Sequence, residues 1–147
     1  MDKRKRQKGT DEESKPFVWP DLTGIHAFLI EDNEDTRALV GETLEHCGAV
    51  VSVYSSADAA MADLPEFLPT VFICDLSMPG LDGLQFMRRM RELSPERGGE
   101  VPAIAITAYY EDFAAAAALE AGFNAYMMKP IKLEELARLA RDIARSS

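Results

Sequence analysis

The sequence predicts an α/β domain built on a doubly wound parallel sheet, with five strands alternating with five helices. Short apolar runs of strand length recur along the chain, separated by stretches with helical spacing. Four of these runs, near residues 28–30, 71–74, 103–106 and 125–128, are continuously apolar, as strands covered on both faces are. At 147 residues and 47% apolar composition, the chain has the material for one domain with a proper core.

The elements follow in order. Phe28, Leu29 and Ile30 form the first strand and end in Glu31 and Asp32. Asn33 can cap the next helix, with Glu34 and Asp35 in its first turn, where acids favour the positive end of the dipole. Val40, Leu44 and Cys47 give that helix its inner face, and Gly48 supplies a left-handed stop. Residues 50–54 read as the second strand. Ser56 caps a second helix with Ala57, Ala60, Met61 and Leu64 on one face, ended by Pro65. Val71, Phe72, Ile73 and Cys74 form the third strand and run into Asp75, then into turn residues up to Gly83. The third helix is predicted over residues 83–93, with Phe86, Met90 and Leu93 inward. The fourth strand ends at Thr107, an alanine-rich fourth helix covers 111–121, and Gly122 closes it before the fifth strand. After Lys129-Pro130 the fifth helix repeats apolar residues at Leu133, Leu136, Ala137, Ala140 and Ile143.

Charge is unevenly spread. Residues 1–24 carry six Lys/Arg and five Asp/Glu, which leaves ten basic and twenty acidic residues in the remainder, a net charge of about −10. Such a surface repels a phosphate backbone, so direct nucleic-acid binding by the globular part is not expected. Residues 1–23 read as a flexible charged leader whose basic run, Lys3 to Lys8, is a solvated tail, with Phe17, Val18, Trp19 and Leu22 tucking its end against the domain. Residues 24–147 are expected to form the globular domain, and the expectation is that no output domain accompanies it. No apolar run has the roughly 20 residues needed to span a bilayer, and no signal peptide opens the chain, so the expectation is a cytoplasmic protein without membrane contact. Cys47 and Cys74 share no metal or redox spacing and read as small core hydrophobes; His26 and His46 read as surface or strand-edge residues.

In a parallel sheet, Glu31, Asp32, Asp75, Thr107 and Lys129 converge on the carboxyl edge, where ligands of open α/β sheets bind. This combination resembles the receiver domain of two-component response regulators, which is marked by an acidic pair, a phosphoacceptor Asp, a Thr or Ser, and Lys-Pro. The stretch from Asp75 through Ser77, Met78, Pro79 and Gly80 to Asp82 and Gly83 is the most specific part of the likeness, which spans residues 24–144. The segment after Pro95 looks most like receivers of hybrid histidine kinases.

The resemblance implies a flavodoxin-like receiver fold with strand order 2-1-3-4-5. It also implies a phosphoacceptor role for Asp75, assisted by Thr107 and Lys129, with phosphate drawn from a histidine kinase or a histidine phosphotransfer protein. Three carboxylates against one lysine leave the empty site near −2, which suits Mg2+, a cation that prefers oxygen ligands. By resemblance its ligands are Asp32, Asp75 and the backbone carbonyl of Ser77, with Glu31 acting through water, and the Lys129-Pro130 bond is cis. Thr107 and Tyr126 fall at the family's switch positions. Ser77 and Tyr109 flank the route of attacking water and so tune phosphoryl lifetime. Output would pass to a downstream protein target, and a homodimer through the fourth helix, fifth strand and fifth helix is open.

The chain thus reads as a signalling domain that catalyses only its own phosphotransfer and slow dephosphorylation. A phosphorylation-independent interaction module of the same fold is the alternative, disfavoured by the intact acceptor, hydroxyl and lysine. A phosphatase of the haloacid dehalogenase type would want a second acid two residues after its nucleophile, where Ser77 stands.

Overall fold

The computed structural model describes residues 18–64, 66–76, 82–107 and 114–146. Its strands are β1 (His26–Ile30), β2 (Val50–Tyr54), β3 (Val71–Asp75), β4 (Ala103–Thr107) and β5 (Ala125–Met128). Its helices are α1 (Glu34–His46), α2 (Ala57–Asp63), α3 (Gly83–Arg91), α4 (Ala114–Ala121) and α5 (Leu133–Arg145), with a 3-10 turn over Pro95–Arg97. All strand pairs are parallel and the order is β2-β1-β3-β4-β5, as expected.

Local chemistry sets the boundaries. Asn33 Oδ1 accepts from the Thr36 N–H at 2.8 Å and Ser56 Oγ from the Ala59 N–H at 3.1 Å, satisfying amides that the helix starts leave without partners. Gly48, at φ 105°, takes the left-handed conformation that stops α1. Asp82 and Gln85 form a reciprocal capping box at the start of α3.

The sheet separates two apolar layers. On one side Phe28 and Phe72 meet Phe86, Met87 and Met90 of α3, with the ring centroids of Phe28 and Phe72 5.9 Å apart and those of Phe72 and Phe86 5.3 Å apart. On the other, Leu29, Ile73 and Ile104 pack against Val40 and Leu44 of α1 and Leu136 of α5. All five residues of β3 and of β4 are buried, whereas the outer strands β2 and β5 are partly exposed. Cys47 and Cys74 are buried as expected.

Three details differ from the sequence reading. The third helix stops at Arg91, not Leu93. Met87 is fully buried while Leu93 is only partly covered, because α3 packs against α4 as well as the sheet and so needs a wider apolar face. At the leader's end Leu22 is buried and Trp19 packs against the second layer, but Val18 is 67% exposed. Leu22 N–H donates to the Cys47 carbonyl oxygen at 2.8 Å, fixing the incoming chain beside the end of α1. Phe17, Pro65 and the start of the expected fourth helix lie outside the described residues. Among the described residues, no helix is long and apolar enough to cross a membrane.

Candidate functional site

Parallel strands whose ends are in register deliver their last side chains to one edge. β3 delivers Asp75 and β4 delivers Thr107, while Glu31 follows β1 and Lys129 follows β5. Glu31, Asp75 and Thr107 are 3%, 3% and 2% exposed, an unusual degree of burial for two carboxyl groups and therefore one that calls for partners. Lys129 Nζ lies 3.3 Å from Asp75 Oδ2 and is itself more open to solvent. The Lys129 N–H donates to the Thr107 carbonyl oxygen at 2.8 Å, which ties the lysine's backbone to the threonine. The Lys129-Pro130 peptide is cis.

Glu31, Asp32 and Asp75 each offer a carboxylate oxygen within 4.8 Å of the others. Three hard oxygen donors so close, two of them buried, form a cluster that can hold a metal, and the donor set fits a small divalent cation such as magnesium. Burial pushes the Glu31 carboxyl from 4.5 up to about 7; neighbouring Asp75 pushes the same way, while the Asn33 amide and Lys129 oppose the shift.

Some contributors were not legible in the sequence. Asn33, expected only as a helix cap, also donates its backbone N–H to Glu31 Oε2 at 3.1 Å. Arg37 Nη1 donates to the Glu31 carbonyl oxygen at 2.9 Å, with no sequence signal beyond its place one turn into α1. Gly83 is required by close approach, since a Cβ there would lie 2.7 Å from the Asp75 carbonyl oxygen and 2.9 Å from Leu76 Cα. This glycine lets the start of α3 sit directly against the chain leaving Asp75.

Tyr126 is 41% exposed. In the β4–β5 register it pairs with Ala105, two residues before Thr107, so Tyr126 and Thr107 lie on the same face of the sheet. Ser77 and Tyr109, expected to flank the route of attacking water, lie outside the described residues.

Residues 27–141 match the response regulator receiver domain family. The chain belongs to that family. A 14.6 kDa protein from the sodA1 3′ region of Leptolyngbya boryana is 39% identical over 82% of this receiver and 90% of its own length. The C4-dicarboxylate transport transcriptional regulatory protein DctD of Rhizobium meliloti is 34% identical over 78% of the chain, which spans only 24% of DctD's length. Among solved structures, a response regulator from Chloroflexus aurantiacus superposes with a TM-score of 0.78 at 26% identity, covering 82% of this chain and 98% of its own. The receiver domain of the sensor histidine kinase PA1611 from Pseudomonas aeruginosa superposes at 0.75 with 28% identity, covering 84% and 99%, and carries a magnesium ion in its active-site cleft. The receiver described here is therefore a two-component signalling domain, of a type found both in separate regulators and in sensor kinases.

Proposed function

We propose that Asp75 accepts a phosphoryl group from the phosphohistidine of a histidine kinase or a histidine phosphotransfer protein. The observation that carries this reading is the contact of Lys129 Nζ with Asp75 Oδ2 at 3.3 Å beside the acidic pair. An Asp75 carboxylate oxygen forms the new bond to phosphorus as the phosphorus–nitrogen bond breaks, and the imidazole leaves with the electron pair and takes up a proton. Lys129 then pairs with one phosphoryl oxygen and the Thr107 hydroxyl donates to another, so that positioning and charge stabilisation supply most of the catalysis.

Asp32 and Asp75, with the Ser77 carbonyl oxygen, would hold Mg2+ directly, and Glu31 would act through water. Bound magnesium would neutralise the carboxylates and polarise the phosphoryl group. Ser77 and Tyr109 would set the rate of slow dephosphorylation. Movement of Thr107 toward the phosphoryl group would let Tyr126 turn inward and alter the face formed by α4, β5 and α5, which would meet a downstream protein or a second copy. Residues 24–147 would act as this module, with residues 1–23 as its charged leader.

The test is incubation with acetyl phosphate and magnesium, or with a phosphorylated kinase, followed by intact-mass measurement. One alkali-labile phosphoryl group is expected in the wild type and none in Asp75→Asn. Labelling of Asp75→Asn at the wild-type rate would place the acceptor elsewhere.

A further inference from the structure

A second feature lies on the side of the domain away from α3. Between α1 and the edge strand β2 runs a groove of about 330 Å3. Its floor is apolar, formed by Gly41, Val51 and Val53, and its rim carries Glu34, Glu42 and Glu45 against one cation, Arg37. All three glutamates are exposed, and among the described residues no ion pair engages them. β2 pairs with β1 alone, so nothing in the sheet covers this flank, and Val53 is 49% exposed.

We propose that this groove is the seat of the chain's own basic run, Lys3, Arg4, Lys5, Arg6 and Lys8. Charge complementarity is the first support. α1 carries four acids and only Arg37 against them, whereas α5, the other helix on this side of the sheet, balances Glu134, Glu135 and Asp142 with Arg138, Arg141 and Arg145. Five cations arriving here therefore meet one acidic helix and one neutral one.

Tethering is the second support. Trp19 packs edge-on against His46, with ring centroids 6.2 Å apart, and Leu22 is bonded to Cys47, so the leader joins the domain at the end of the helix that lines the groove. Arg145 Nη2 donates to the Asp21 carbonyl oxygen at 3.0 Å and holds that junction from the α5 side. From Lys8 to Val18 the chain can reach at most about 35 Å when extended, while the 13 residues of α1 span only about 20 Å. The whole groove is within reach, and a tether of this length keeps the basic run at high effective concentration beside it. Seated there, the run would end next to Glu34, two residues beyond Asp32, and would lower the negative potential at that side of the acidic edge.

The test compares amide NMR shifts of the full chain with those of a variant in which Lys3, Arg4, Lys5, Arg6 and Lys8 are all serine. Differences confined to residues 34–46 and 50–54, unchanged on dilution, are the expected result. They should vanish in Glu42→Gln/Glu45→Gln, and in the wild type as salt is raised from about 0.01 M to about 1 M, across which the screening length falls from about 30 Å to about 3 Å. No difference at these residues, or differences on another face, would overturn the proposal. Differences that fade on dilution would overturn it too, because they would assign the groove to the leader of a second molecule.

Discussion

Arg91 and Gly122 are fitted to each other: Arg91 Nε donates to the Gly122 carbonyl oxygen at 2.9 Å, and a Cβ at Gly122 would lie 2.5 Å from Arg91 Cγ. The same guanidinium also donates to the carbonyl oxygens of Gly99 and Val101, at 3.1 and 2.8 Å, and to Asn124 Oδ1 at 3.0 Å. One side chain thus joins the end of α3, the approach to β4 and the turn into β5.

Two variants test that joint. Arg91→Ala leaves several carbonyl groups short of a donor and should cost about 3 kcal/mol in urea unfolding. Gly122→Ala must hold a left-handed φ of 119° and displace Arg91, so a similar loss is expected. Because both changes break one contact, the double variant should lose clearly less than the two single losses together. Full additivity would show that the contact is energetically idle.

The buried Glu31 gives a pH dependence of definite sign. Its carboxyl keeps a proton up to about 7 in the folded chain but only to about 4.5 otherwise, so between these values the folded state binds more protons and stability falls as pH rises. In metal-free protein this amounts to a loss on the order of 3 kcal/mol, complete above about pH 7. Glu31→Gln should flatten this part of the curve relative to wild type, as read by thermal unfolding across that range. An equally steep fall in the variant would assign the effect to another group.

Magnesium should bind without phosphate and raise the melting temperature, more at pH 8 than at pH 5, roughly, since a proton on Glu31 opposes it. Asp32→Ala should weaken binding most after Asp75→Ala, as measured by calorimetry. Equal affinities in all three proteins would remove these carboxylates from the metal site.

The candidate site was legible because its side chains terminate apolar runs: Asp75 after Cys74, Thr107 after Ile106, Lys129 after Met128. The two buried layers were legible for the same reason, since periodicity reports which faces are covered, whereas the strand order followed only from the family resemblance. Arg37 and Arg91 were not legible, and Gly83 was legible only as the end of the stretch after Asp75, not for the close approach it permits. They act on backbone carbonyl groups or against a neighbouring backbone, as Arg91 does on Gly122, 31 residues away, and such partners leave no pattern in side-chain spacing. Met87 was missed because a helix packed on two neighbours buries more than one stripe.

Thr107→Ala should still accept phosphate but lose the coupling to Tyr126. With labelled tyrosine, adding beryllofluoride and magnesium should move the Tyr126 ring resonance in wild type and leave it in place in Thr107→Ala. Phosphate can shift that equilibrium only by binding the inward state better. A stationary Tyr126 signal in wild type with Asp75 occupied would remove this output route.

Tyr109→Ala should dephosphorylate several-fold faster, a change on the order of 1 kcal/mol in barrier, if the phenol ring obstructs the water that attacks the phosphoryl group. Following release of label after removal of the donor measures this directly. An unchanged rate would direct attention to Ser77.

The unequal covering of the strands has a consequence for hydrogen exchange. Asp75 and Thr107 end strands that are buried along their whole length, so their amides should exchange only when the domain opens globally. Lys129 follows β5, an edge strand with alternate residues exposed, and should be released by a much smaller opening. The acid and its cation therefore belong to regions of different stability, and fraying of one edge can withdraw the positive charge from Asp75 while the carboxylate stays where it is.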